Sequence, residues 1–366
     1  MGGTVMRSLI VGVLLMALIG AAGAPPAAAQ PTPPSVPPNA TVVATGLINP
    51  RGFTFAPDGA LVVAESGAVP DGFEAPLGPP TPMFRPATTT TGRVSRVDLG
   101  TGERTTLAEG LPSSAGSFGD TLGPSAVAYL GSDLYILISA GPVHGWPNYP
   151  SGVYKANADG TVRPVANLDA FNSKSPVAFI APDDEISNPY DMVAADGALW
   201  ITDGNRAQVY KVTPDGAIAR VADLSTGHPV VTGIAASPSG GVVTVELTAV
   251  PYVKGSGRVM KISPSGESSV IARVVTTGTG VALAGDGTIF VVEHSESLGQ
   301  PPFMSPATGR VALLTADGTL ETVAGGLMWP TIARVGPDGA LYVANASVGG
   351  DHGEGQVLRI AASSGM

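Results

Sequence analysis

From residue 41 onward, apolar and polar positions alternate in short runs, and the runs come in pairs around a tight turn. Residues 52–65 (GFTFAPDGALVVAE) show the pattern best, with an alternating run, a Pro-Asp-Gly turn and a second run that ends on a carboxylate. Period-two alternation predicts a half-buried strand. An Asp-Gly or Ser-Gly pair between two such runs predicts a hairpin, because glycine adopts positive φ without a steric penalty. The string recurs at residues 191–203 (DMVAADGALWITD), 233–246 (GIAASPSGGVVTVE), 280–293 (GVALAGDGTIFVVE) and 332–345 (IARVGPDGALYVAN), with a degenerate copy at 126–139 (AVAYLGSDLYILIS).

A second hairpin follows the first. Its opening strands include 93–98 (RVSRVD), 209–212 (VYKV), 259–262 (VMKI), 311–314 (VALL) and 357–360 (VLRI), and its turns read GTGE, TPDG, SPSG and TADG. The closing strands read RTTLAEGL, AIARVADL, SSVIARV and LETVAGGL. One unit is therefore a four-stranded antiparallel meander, and six units predict an all-β chain folded as a six-bladed β-propeller of the NHL/TolB-like kind. The last unit ends without a fourth strand. Residues 41–47 (TVVATGL) match the fourth-strand pattern, and pairing them with the strand at 357–360 would close the ring and remove two open sheet edges. The implied organisation is a signal peptide at 1–29, a Pro-rich spacer at 30–40, the propeller at 41–361 and a short tail at 362–366.

Composition narrows the picture. Hydrophobic residues make up 44% of the chain but aromatics only 5%, so the core must be Val, Ala, Leu and Ile. The net charge of -10, with no Lys/Arg cluster, disfavours nucleic acid or an anionic membrane surface as partner. The absence of cysteine removes disulfides, thiolate metal sites and cysteine nucleophiles. At the start, Arg7, an apolar stretch over 9–19 and small residues up to Ala29 follow the order of a secretory signal, with cleavage after Ala24 or Ala29. The other reading of the same stretch is a retained anchor, since 9–24 is nearly long enough to span a bilayer. Either way the domain is expected outside the cytoplasm.

In such a blade the tight turns share one face and the long connections share the other. The long ones are 66–92, 140–152, 247–257, 294–309 and 346–355, with 167–190 between blades; 204–208 is short. Grown loops on a rigid scaffold are where function usually sits. The same face collects the residues that end the second strands: Glu65, Asp203, Glu246, Glu293 and Asn345, with Ser139 in the degenerate copy. Two readings of this ring are open. Glu65, Asp203, Glu246 and Glu293 offer the hard oxygen ligands that Ca²⁺ or another divalent cation prefers; alternatively each residue caps its own turn. His144, His228, His294 and His352 also map to this face, and His294, directly after Glu293, is the candidate general base or metal ligand. Arg51, where the first strand of blade one begins, is placed to bind an anionic group or to pair with a ring carboxylate.

The strings GLINPRGFTFAPDGALVVAESG, SNPYDM (187–192), LWITDGNRAQVYKV, PDGALYVANAS and EGQVLRI together resemble the ScyD/ScyE family of exported NHL-like propellers, over roughly residues 41–361. The resemblance implies the fold and export, and it brings no defined active-site motif. Asn188 and Tyr190 of SNPYDM stand with Arg51, Glu65, Asp203, Glu246, Glu293 and Asn345 as ligand-binding candidates. The blade-one string is also distantly similar to the opening of pyrroloquinoline-quinone-dependent sugar dehydrogenases, but Arg51 and Ser66 stand where those have Trp and Arg. Gluconolactonase-like and streptogramin-lyase-like propellers share the carboxylate mouth. The expected function is a secreted scaffold that binds a small molecule, an extracellular protein or a cell-surface component through its loop-rich face. The alternative is a metal-dependent lactonase or lyase.

Overall fold

The apolar run that closes each first hairpin is buried on both sides, and this is what organises the molecule. In Leu61–Glu65 every residue is buried. Leu61 and Val63 pack in the wedge shared with the last blade, while Val62 and Ala64 pack in the wedge shared with the next. Alternation of period two thus feeds two different cores. Six such wedges, one between each pair of neighbouring blades, replace a single central core. Each fully buried Val, Leu or Ile contributes about 1.5–3 kcal/mol.

The computed structural model describes residues 34–69, 87–115, 120–179, 187–299, 304–348 and 353–361. Residues 1–33, part of each of four long loops including His352, residues 116–119 and the tail at 362–366 lie outside these. The described chain forms six antiparallel sheets arranged as a six-bladed β-propeller, as the repeat predicts. Blade three shows the pattern cleanly, with strands Pro189–Ala195, Ala198–Asp203, Gln208–Val212 and Ile218–Asp223 in simple order. Its hairpin turns on Asp196 and Gly197 at φ 50° and 72°, a conformation that glycine and, less readily, aspartate adopt. Closure is by the N-terminal strand: Ala40–Leu47 pairs with Gly355–Ile360, from Ala40 opposite Ile360 to Leu47 opposite Gly355.

Blade one departs from the repeat. Its fourth strand, Arg104–Ala115, is twelve residues long and overhangs the blade, so that Thr121–Leu122 adds as a fifth strand opposite Ser114 and Ala115. This extra edge carries Asp120 and Thr121 toward the channel.

The innermost strands are joined by a closed belt of buried hydroxyls, each donating to a backbone carbonyl of the next blade. Ser66 donates to the Pro124 carbonyl (3.1 Å), Ser125 to Pro189 (3.1 Å), Thr202 to Thr232, Thr232 to Gly278 (2.9 Å), Thr279 to Pro330 (3.1 Å) and Thr331 to Arg51 (3.0 Å). The strands approach so closely that a Cβ on Gly52 would stand 2.5 Å from the Ser125 carbonyl oxygen. Glycine there is a packing requirement. Beneath the loop-rich mouth, Arg334 of blade six reaches across the axis to Asp191 of blade three at 2.7 Å. Blades three and six are opposite one another, so this buried pair bars the channel.

Candidate functional site

Equivalent positions in the blades place Glu65, Asp203, Glu246, Glu293 and Asn345 at the same height, all buried. Their oxygens are nevertheless taken up inside their own blades. Glu65 accepts from Arg93 Nε and Nη2 (both 2.8 Å), from Ser95 Oγ (2.5 Å) and from the Ile48 N–H (2.7 Å). Glu246 accepts from Arg258 Nε (2.8 Å), Nη2 (2.5 Å) and the Arg258 N–H (3.1 Å). Glu293 accepts from Arg310 Nε (2.7 Å) and the Thr276 N–H (2.6 Å).

Where the third strand opens with Gln instead of Arg, the acid is shortened or neutralised. Asp203 stands opposite Gln208 and Asn345 opposite Gln356. Asp203 accepts from Ser187 Oγ (2.6 Å) and from the N–H groups of Asn188 and Arg206 (3.0 and 3.2 Å). Burial pushes its carboxyl above the usual carboxylate range. Asn345 Oδ1 accepts from the Met328 N–H at 2.8 Å.

Glu65, Glu246 and Glu293 are each charge-paired with an arginine, Asp203 is held by a hydroxyl and two N–H groups, and among the described residues no three His, Cys, Asp or Glu side chains are grouped to hold an ion. Turn capping accounts for part of the geometry; the arginine that opens the third strand supplies the rest. Asn188 belongs to the same framework, with its N–H on Asp203 and its Nδ2 3.5 Å from Asn205 Oδ1.

A different group converges at the mouth. Arg51 is 8% exposed, lies 5.2 Å over the ring of Tyr190, donates from Nη1 to the Thr121 carbonyl at 3.2 Å, and has Asp120 Oδ2 4.0 Å away. The expected pairing of Arg51 with a ring carboxylate does not occur, because those acids already hold Arg93, Arg258 and Arg310. Burial pushes the Tyr190 hydroxyl up to about 12, with Asp191 and Asp120 raising it and the Arg51 charge opposing. Tyr252, in the inserted loop of blade four, is likewise pushed up to about 12 by burial, with Asp120 and Tyr190 adding to it.

His294 completes the cluster. Its ring stacks on Trp329 with centroids 5.0 Å apart, and Nδ1 lies 2.9 Å from the Pro330 carbonyl. A carbonyl only accepts, so Nδ1 carries the hydrogen and the neutral ring presents its lone pair at Nε2. Burial lowers the imidazole to about 4; the Pro330 carbonyl opposes the shift and the Arg51 charge adds to it. Trp329 sits at φ 44°, in the slot before proline that Asn49, Gly123 and Asn188 fill elsewhere. A bulky residue in the left-handed region costs on the order of 1 kcal/mol, and strain of that kind collects at functional sites. The remaining described histidines stay outside the cluster. His144 sits in a short 3-10 turn with Gly141 N–H at its Nδ1, and His228 lies against Phe179.

Arg51, Tyr190 and His294 were legible as candidates; Asp120, Tyr252 and Trp329 were not. The signal for Trp329 was present, a tryptophan where the three other units with a proline at that point carry Asn or Gly before it. Asp120 and Tyr252 lie in segments with no counterpart in the repeat.

No protein-family model matches the chain, and no curated protein matches it. Solved structures do. A putative oxidoreductase (glucose dehydrogenase) from Thermus thermophilus is 18% identical over 87% of this chain and 98% of its own, with a TM-score of 0.56. Regucalcin from Agrobacterium tumefaciens, described as a calcium-binding protein, is 18% identical over 86% of this chain and 90% of its own, with a TM-score of 0.52. A putative gluconolactonase is 12% identical over 88% and 91%, with a TM-score of 0.52. At this distance the likeness is one of fold: the chain is similar to six-bladed propellers that carry several different chemistries.

Proposed function

We propose that the protein binds a small molecule at the mouth of its barred channel and acts on it by proton transfer, as a hydrolase or lyase, with His294 as the base. The observation that carries this reading is the mounting of His294. Its Nδ1–H is held by the Pro330 carbonyl and its face is pinned by Trp329, which leaves Nε2 as the acceptor, in the field of the Arg51 charge. An oriented neutral imidazole of this kind typically contributes about 10²–10⁴-fold to a rate. This reading is preferred to a scaffold acting through the whole loop-rich face because the converging groups are few and central.

A putative gluconolactonase shares the fold, so a panel of aldonolactones and other cyclic esters, followed by acid release with an indicator dye, is the first assay. His294→Asn should lower turnover by about 10²-fold or more while Trp329 still responds to ligand. Binding without turnover of any panel member in the parent protein would return the reading to a binding scaffold. We also read the protein as exported and of ScyD/ScyE-like lineage, on the leader pattern at 1–29 and the strings of blades one, three and six. A mature N-terminus between Pro25 and Pro31 in secreted material would support export, and an intact Met1 on membranes would favour the anchor.

A further inference from the structure

Arg51 and Tyr190 occupy one slot of the repeat, and what they displace shows what they are for. In five blades the first strand bulges just after it begins, between Pro50 and Gly52, Pro124 and Ala126, Pro189 and Asp191, Val231 and Ile234, and Gly278 and Gly280. In blades two, four and five the bulge holds Ser125, Thr232 or Thr279, and in blade six the matching residue is Thr331; all four supply the belt that ties the blades together. Blades one and three carry Arg51 and Tyr190 there instead. In those two blades the belt is made good from the second strand, by Ser66 and Thr202. The architecture is thus complete without Arg51 and Tyr190.

Arg51 is also unlike the arginines around it. Arg93, Arg258 and Arg310 each grip a buried glutamate at 2.8 Å or less. Arg51, though buried, donates to the Thr121 carbonyl and engages the Tyr190 hydroxyl, and its nearest described acid, Asp120, is at 4.0 Å and 31% exposed. A buried guanidinium so incompletely paired favours an incoming anion.

We infer that Arg51 and Tyr190 form an anion subsite, and that the ligand of the mouth is a small carboxylate whose flat or ring-shaped body lies against Tyr252 and Trp329. The inference rests on the mouth reading of the previous subsection and names its substrate class. Asp120 supplies one negative charge nearby, so a monoanion fits and a phosphate dianion does not.

The test uses the protein with ¹⁵N-labelled tryptophan. Its three indole signals, from Trp146, Trp200 and Trp329, are assigned with Trp329→Phe, and benzoate, benzamide and phenyl phosphate serve as probes. Benzoate should shift the Trp329 signal. Arg51→Gln should weaken benzoate by about tenfold or more, Arg51→Lys by less, and Asp120→Asn should tighten it, with benzamide indifferent to all three. Unmoved Trp146 and Trp200 signals certify the fold of each variant. Equal binding of benzoate and benzamide, both indifferent to Arg51→Gln, would overturn the anion subsite and leave the mouth as a site. Tighter binding of phenyl phosphate than of benzoate would overturn the monoanion assignment. Failure of all three probes to move Trp329 would overturn the mouth reading itself.

Discussion

The double variant Glu246→Gln/Glu293→Gln separates a structural ring from an ion site. In the parent, Glu246 and Glu293 each neutralise an arginine that is only 19% or 16% exposed. Glutamine keeps the shape and one acceptor oxygen, but it turns the other oxygen into an N–H₂ facing guanidinium donors. At least one charge-assisted hydrogen bond is lost per site, at about 1.5–3 kcal/mol. The two sites lie in adjacent blades and share no partner, so the losses should add to about 3–6 kcal/mol. For a domain of this size that lowers the melting temperature by on the order of 10 °C.

Thermal and urea denaturation of parent, single and double variants measure the loss, each with and without added Ca²⁺. The arginine-pair account expects a large, additive loss and no calcium dependence in any of them. A double variant that melts close to the parent, combined with a calcium stabilisation seen in the parent and absent from the variant, would refute it. The ring would then be an ion site whose arginines are incidental.

Two further outcomes follow from burial. His144 and His294 are both held neutral, with burial lowering each to about 4, below the unfolded value near 6.5. A base with a depressed folded pKa contributes stability that is present above about pH 6.5 and is lost as pH falls toward about 4. Asp169 and Asp203, whose carboxyls burial raises, work in the opposite direction. The comparison is therefore differential: the urea midpoint of His294→Gln should fall less than the parent's between pH 7.5 and pH 5, and equal slopes would count against a neutral buried ring. Thr331→Val removes the hydroxyl that links blade six to blade one and leaves the Pro50 and Arg51 carbonyls short of a donor. A loss of about 1–2 kcal/mol in urea unfolding is expected, and a neutral change would show that the belt contributes nothing at that joint.

What the sequence could show was set by the repeat. Alternation and Asp-Gly or Ser-Gly turns repeat from blade to blade, so strand order, blade count and the closing strand could be read by comparing one copy with the next. The same comparison singles out Glu65, Asp203, Glu246 and Glu293 because they recur, and recurrence alone does not separate an ion site from turn capping. Recurrence is also what a framework pair needs, and the partner, Arg93, Arg258 or Arg310, recurs with the glutamate at the start of the third strand; Gln208 and Gln356 stand opposite Asp203 and Asn345, where the glutamate is replaced. Function was to be sought where copies disagree. Arg51 and Tyr190 in a hydroxyl slot, Trp329 in an Asn or Gly slot and His294 after its glutamate each break the pattern, and these are the residues the fold gathers at one end of the axis. Asp120 and Tyr252 had no copy to disagree with. They lie in the fifth strand's approach and in an inserted loop, where only three-dimensional closure shows which side chains meet.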